Sequence, residues 1–285
     1  MTVPQRALSP EGIQYDEANK RFIVSSRTQG RIGTVRDDST YTQLADDPRL
    51  VSTIGLNLDA TRQRLLAAVS DAGVNTTRST ATTLRKLAAL AIFNPSTGAL
   101  LSYVDLGALR PSLAHFANDI AVDSQGNAYI TDSLSPIIYK VDAQGVATVF
   151  LENSQLSGGT AFGLNGIVYH PDGYLLVAKS NDGTLFKVPV ANPSSFTTVA
   201  LTQSLVGADG MLLLDPNTLL VVAGSQNTVY RMVSSNGWGS AGATGSFATG
   251  AVSATTITRR NTSEAFVLYP YTATSPRFAI TKVGF

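Results

Sequence analysis

Apolar runs of strand length recur along the whole chain, each cut off by a cluster of turn residues. In GLNGIVYHPDGYLLVAKSNDGTLFKV, residues 163–188, three such runs built from Val, Ile, Leu, Tyr and Phe follow one another, a composition that suits a pleated, half-buried surface. Pro-Asp-Gly at 171–173 stands between the first two, where a type I or I′ hairpin turn wants such residues. Asp-x-x-Gly-Asn at 123–127 and Asp-Pro-Asn at 215–217 hold the same place in neighbouring segments. No segment has a helical period with caps; Leu84–Phe93 comes nearest, and in register it reads as a strand. An all-β chain is predicted.

Laid against itself, the chain repeats. Residues 118–152 lie over 165–201 and then over 209–247, each reading strand, turn, strand, loop, strand, loop, strand. Residues 11–45 share the layout, 54–106 share it with an insertion at 71–86, and 254–285 stop after a third strand. Six units at a spacing of roughly 45 residues are expected of four-stranded propeller blades. Residues 1–285 are therefore predicted to form a single domain, a six-bladed β-propeller. The outer strand missing from the last unit is expected from Thr2–Leu8, which would close the ring. An open two-sheet sandwich does not account for six copies in phase.

The first strand of a propeller blade lines the central channel, so residues at the heads of these strands converge on the axis. In register, the heads of blades one, three, four and five are Glu11, Asn118, Asn165 and Asp209; blades two and six offer Thr53 or Ile54, and Ala254 or Thr255. Asn or Asp before Gly is ordinarily a turn signal. Four oxygen-bearing side chains at one register position instead form a hard cage for a divalent cation. Calcium suits it best, since it accepts many oxygens, carboxamide carbonyls among them. Magnesium and manganese also fit, and zinc is least expected without His or Cys at the heads. Two carboxylates would balance the charge of the ion.

Composition narrows the partners. Hydrophobic residues make up 44% of the 285, enough for a substantial core. The net charge is +1 with 14% charged residues, which leaves no basic stripe for nucleic acid. Cysteine is absent, which removes thiolate chemistry and thiolate metal sites. A small-molecule substrate and a monomer are expected, with no nucleic acid and no membrane. The opening MTVPQRALSPEG lacks the apolar segment of a signal peptide. The Ser/Thr-rich, Cys-free composition leans toward a soluble, exported protein whose signal has been removed.

SPEGIQYD, FANDIAVDSQGNAYITD, GLNGIVYHPDG and GADGMLLLD resemble the signature segments of the senescence-marker-protein/gluconolactonase family, which is related to diisopropyl fluorophosphatase. The ordered set Glu, Asn, Asn, Asp is spaced by 107, 47 and 44 residues (118 minus 11, 165 minus 118, 209 minus 165). The resemblance implies a calcium-dependent six-bladed propeller that hydrolyses lactones or phosphotriesters, the metal polarising the carbonyl or phosphoryl oxygen. It implies that Glu11, Asn165 and Asp209 bind the metal, with Asn118 a fourth ligand or a substrate contact. Sugar lactonases of the family tend to carry an Arg shortly before the blade-three Asn; here the run is SLAHFAND. A lactone or ester is thus a firmer expectation than a sugar lactone.

Asp209 is the expected general base or nucleophile, with Glu11 the other catalytic candidate. Loops joining second and third strands open on the face of the strand heads, which puts Arg27, Asp132, Lys179 and Asn181 on its rim. Arg27, Asp132 and Lys179 are candidate substrate contacts, and so is His115, on the loop that leads to Asn118. His170 lies at the opposite end of its strand and is expected to be inert. The insertion 71–86 would hang over the site as a mobile lid. Two other functions are compatible with the fold: a non-enzymatic binding propeller with a structural axial ion, and a strictosidine-synthase-like condensing enzyme, which would not need the oxygen cage.

Overall fold

Alternating Val, Leu, Ile and Tyr positions separated by Gly- and Asp-containing turns fold each repeat into an antiparallel sheet of adjacent strands. A computed structural model describes residues 1–285 as six such sheets. Their innermost strands are Ile13–Asp16, Ser52–Asp59, Ala117–Val122, Leu164–His170, Ala208–Asp215 and Ile257–Asn261. The sheets are the blades of the predicted six-bladed propeller. No helix is long and apolar enough to cross a membrane.

Burial explains why the axis is left polar. The apolar side chains collect in six clusters, one in each gap between neighbouring blades. Blades two and three share Leu66, Leu90, Ile120 and Tyr139, and blades six and one share Phe22, Phe266 and Phe278. Each blade thus buries both faces of its sheet against its neighbours, which is where the hydrophobic driving force is spent. Strand heads near the axis are free to carry polar groups.

Thr2–Val3 pairs antiparallel with Phe278–Lys282, so the N-terminal strand completes blade six as predicted. The pairing is shorter than Thr2–Leu8, because Ala7 and Ser9 turn the chain through left-handed backbone conformations. Leu8 nevertheless reaches the core beside Val3. Thr255 Oγ1 donates to the Glu11 carbonyl at 3.0 Å, a second tie between blades six and one.

Two local features differ from expectation. The third strand of blade two is Ala88–Phe93 and does not begin at Leu84. Arg85 takes a φ of 55°, and its N–H bonds back to the Asp71 carbonyl, so the preceding residues close the insertion instead of extending the sheet. In blade four the outer strand is only Thr197–Thr198, after which Ala200–Leu201 crosses to pair in parallel with Ser240–Ala248 of blade five.

Candidate functional site

The strand heads sit on β-bulges. Ladder register shifts between Thr53 and Leu56, Ala117 and Ile120, Leu164 and Ile167, and Ala208 and Met211. A bulge inserts an unpaired residue and re-aims its side chain. Asn118, Asn165 and Asp209 each lie inside one of these interruptions, which explains a carboxamide or carboxylate at the mouth of an apolar strand.

The glycines that follow three of the four heads are not turn glycines. Gly12, Gly166 and Gly210, with Gly55 of blade two, all keep ordinary negative-φ or extended backbone. Their lack of a side chain serves close approach between blades. A Cβ on Gly12 would stand 2.4 Å from the Ile54 carbonyl oxygen, and one on Gly166 would stand 2.2 Å from that of Asp209. At blade three the equivalent position is Asp119, whose carboxylate reaches the next blade. It accepts from the Ile120 N–H at 2.9 Å and from the Ile167 N–H at 3.3 Å.

Glu11, Asn118, Asn165, Asp209 and Asp119 line the floor of the axial opening, where the space narrows to about 10 Å³. That is near the lower limit for one water-sized occupant. Asn118 donates its amide to Ser133 Oγ at 2.9 Å, and Ser133 donates to the Leu164 carbonyl at 2.5 Å, so blades three and four orient it together. Asn165 stands beside Asp209 in the same cavity, and its amide favours the ionised Asp209 carboxyl. Its own Oδ1 is buried without a hydrogen-bond partner, and so is Glu11 Oε2. Arg27 Nε lies 3.3 Å from that Glu11 oxygen, an ion pair by distance, while the guanidinium gives its hydrogen bonds to Ser9 Oγ at 2.8 and 3.3 Å.

Burial raises the pKa of all three acids. For Glu11 the Arg27 charge offsets part of the rise. For Asp209 burial acts first and the charges of Glu11 and Asp119 add to it, against Arg27 and the Asn165 amide, so its carboxyl is held well above the ordinary range. Burial pushes Asp119 up to about 7 against the two backbone N–H bonds that favour its ionised form. Three acids resisting ionisation beside a single guanidinium amount to an unmet demand for positive charge. Two unpaired buried oxygens in the same spot and an all-oxygen donor set fit a hard divalent cation. The donor set mixes acids with carboxamides; nowhere do three His, Cys, Asp or Glu side chains gather as a metal-ligating group.

Above this floor the opening widens into two lobes of about 310 and 380 Å³, which share Glu11, Arg27, Ser180 and Asp209. Arg27 is therefore brought to the site as the topology predicted. Ala72 and Val74 of the insertion line the larger lobe, so the insertion does overhang the opening. It is tied down: Asp71 accepts from Ser79 and Thr83, Asn75 donates to the Val51 carbonyl, and Arg78 bonds Asp46 and the Leu50 carbonyl. A mobile lid is not what these contacts build.

Three candidates are placed elsewhere. Asp132 is fully buried and its carboxylate serves its own blade, accepting from the N–H groups of Phe116, Leu134 and Ser135. His115 shares a 2.7 Å contact with Asp132 through Nδ1 and a 2.9 Å contact with the Arg110 carbonyl through Nε2, so neither nitrogen is free. Lys179 is bound to the Gln155 carbonyl and to Asp182 at 2.8 Å. None of the three lines the cavity. His170 stacks on Tyr174 with ring centroids 4.2 Å apart and contacts the Pro216 carbonyl at 2.8 Å, a packing role at the far end of its strand. Asp119 was missed by sequence reasoning, yet the signal was present: blade three carries an acid where blades one, two, four and five carry glycine.

The chain is a closed six-bladed propeller with an acidic, oxygen-lined pocket on its axis. Residues 9–240 match the SMP-30/Gluconolactonase/LRE-like region, and the chain belongs to that family. Among solved structures it is similar to the major Malassezia sympodialis allergen Mala s 1, at 18% identity and a TM-score of 0.80 over 99% of this chain and 95% of that one. It is also similar to a luciferin-regenerating enzyme, at 12% identity and a TM-score of 0.67 over 99% and 94%. A glucose dehydrogenase aligns at 14% identity and a TM-score of 0.68 over 99% of both chains. These likenesses show the fold. No curated protein sequence matches the chain.

Proposed function

We propose that the chain is a divalent-cation-dependent hydrolase, calcium being the best-suited ion, that opens lactones or related carboxylic or phosphoric esters. The observation that carries the reading is that raised acids and orphaned oxygens line one narrow axial cavity: Glu11, Asp119 and Asp209 with the free Oδ1 of Asn165. Glu11, Asn118, Asn165 and Asp209 would hold the ion. When bound, it supplies the positive charge that draws electrons from a carbonyl or phosphoryl oxygen.

The chain's own groups do the rest. Asp209 takes the proton of an attacking water, whose oxygen bonds to the acyl carbon or phosphorus as the ring or ester bond from that atom to oxygen breaks; if Asp209 attacks instead, the acyl- or phosphoryl-aspartate formed is hydrolysed by a water in a second step that frees the carboxylate. The departing alkoxide receives a proton, and the products are a hydroxy acid or an acid and an alcohol. The Asn165 amide favours the ionised Asp209 carboxyl, and Ser133 fixes the Asn118 amide. Arg27 lines both lobes and would meet the acid product's negative charge.

Chelator-stripped protein, re-supplied with calcium, manganese or zinc and offered lactones, aryl esters and a phosphotriester, tests the proposal. Calcium-restored turnover of at least one class is expected; none on any class with any ion overturns it. A second reading, a binding propeller with a structural axial ion, draws on the Arg27–Glu11 ion pair, which already neutralises one carboxylate. It expects calcium to raise the melting temperature without turnover.

A further inference from the structure

The two lobes above the floor differ in chemistry. The smaller is walled by Ser180, Ser225, Ser253 and Thr255, with Ala254 its single apolar residue. The larger is walled by Ala72, Val74, Phe116 and Phe162. Phe116 and Phe162 meet edge to face with ring centroids 5.0 Å apart at 62°. Phe162 is 43% exposed and Val74 37%. All other phenylalanines except Phe285 are buried or half-buried, so a bare ring at this mouth stands apart from how the chain treats its aromatics. Water-exposed apolar surface beside a polar reaction centre marks a place where a ligand's apolar part settles.

We propose that the site takes amphipathic substrates, an alkyl or aryl substituent packing on Phe116, Phe162 and Val74 while the oxygen-rich half lies in the Ser/Thr lobe. The assignment rests on the hydrolase reading for the word substrate, and on the lobes alone for the shape of the ligand. It makes Phe162 and Val74 specificity-determining. It also gives the insertion a reason to be tied down: Val74 presents a fixed wall, held through Asn75 to the Val51 carbonyl at 2.7 Å. A polyhydroxylated sugar lactone would place hydroxyls against this wall and leave them without partners.

The test uses γ-lactams bearing n-alkyl chains from methyl to octyl, which are not hydrolysed, in titration calorimetry with the full chain, calcium-loaded and chelated. The matching γ-lactones and glucono-1,5-lactone are assayed for turnover in parallel. Lactam affinity is expected to tighten about fourfold for each of the first several methylenes, the equivalent of ~0.8 kcal/mol each. Phe162→Ala should flatten that slope, Phe162→Leu should keep most of it, and Phe285→Ala, on the outside of blade five, should leave it unchanged. Affinity independent of chain length, or an unaltered slope in Phe162→Ala, overturns the proposal. Chain-length-dependent binding with no turnover upholds the lobe and overturns the hydrolase reading; turnover with flat binding overturns the lobe alone.

Discussion

Gly166 and Asp209 face each other across the boundary between blades four and five so closely that a Cβ on the glycine would stand 2.2 Å from the aspartate's carbonyl oxygen. The backbone carrying the expected catalytic carboxylate is thus seated on a neighbour that has no side chain. Gly166→Ala should push that backbone off the axis. The expected cost is about 1–3 kcal/mol of stability, together with loss of calcium-dependent stabilisation. Gly284→Ala, with nothing within 4 Å of its Cβ, should be neutral in the same denaturant titrations.

Asn165 Oδ1 is buried without a partner, a state that costs stability unless something else binds it. In Asn165→Ala the chelated protein should unfold within about 1 kcal/mol of the parent, because the orphaned oxygen leaves with the side chain. The rise in melting temperature on adding calcium should shrink sharply. Equal rises in both proteins would remove Asn165 from the ligand set.

Asp209→Asn keeps shape and removes charge. Turnover should fall by at least about a hundredfold, the scale of a lost acid-base group. An Asp209→Asn variant with full activity would sink the base assignment. Asp119→Asn keeps an acceptor for the Ile120 N–H, loses the oxygen that accepts from the Ile167 N–H and removes one of the three acids, so it should cost about 1 kcal/mol of stability and bind calcium more weakly in calorimetry.

His115 should make stability depend on pH. Burial lowers its pKa, but the Asp132 hydrogen bond, the Arg110 carbonyl and the charges of Asp132 and Asp105 outweigh burial, so the folded value lies above 6.5. Tyr139, which donates to Asp132 at 3.2 Å, completes the surroundings. A raised histidine pKa adds stability that is fully present below the unfolded value and lost as pH rises through the folded one. The advantage of the parent over His115→Gln should therefore be largest below about pH 6.5 and decline above it, in urea titrations at fixed ionic strength. A constant difference from pH 5 to 9 would contradict the assignment.

Val3 is fully buried beside Phe278 and Leu8. Val3→Ala should cost about 2 kcal/mol through the cavity it leaves, and deletion of residues 1–8 should cost more, since blade six loses its outer strand. Both are read by thermal unfolding.

What the sequence disclosed depended on period. The blades, their phase and the heads Glu11, Asn118, Asn165 and Asp209 belong to a repeat of roughly 45 residues, lengthened in blade two by its insertion, and a repeat is visible without coordinates. What stayed hidden depended on contacts between repeats. Asp132 looks like a rim residue by strand counting, yet its carboxylate turns back into its own blade to bind three N–H groups. Whether a polar side chain at a strand end meets the axis or its own loop is settled by bulges and by the neighbouring blade, and neither leaves a local pattern. Phe162 is the same kind of case: its segment, SGGTAFG, reads as a plain connector, and only Phe116 and Val74 arriving from other parts of the chain make it a wall.

The pairing of Thr2–Val3 with Phe278–Lys282 also sets an order of events during synthesis. The strand that precedes blade one finds its partner only when blade six, made after the other five, is available. Such sequence-distant pairing is slow, and until it occurs the edge of blade six offers unpaired backbone to other chains. Closure of the ring is thus the step at which this fold is most open to pairing with other chains.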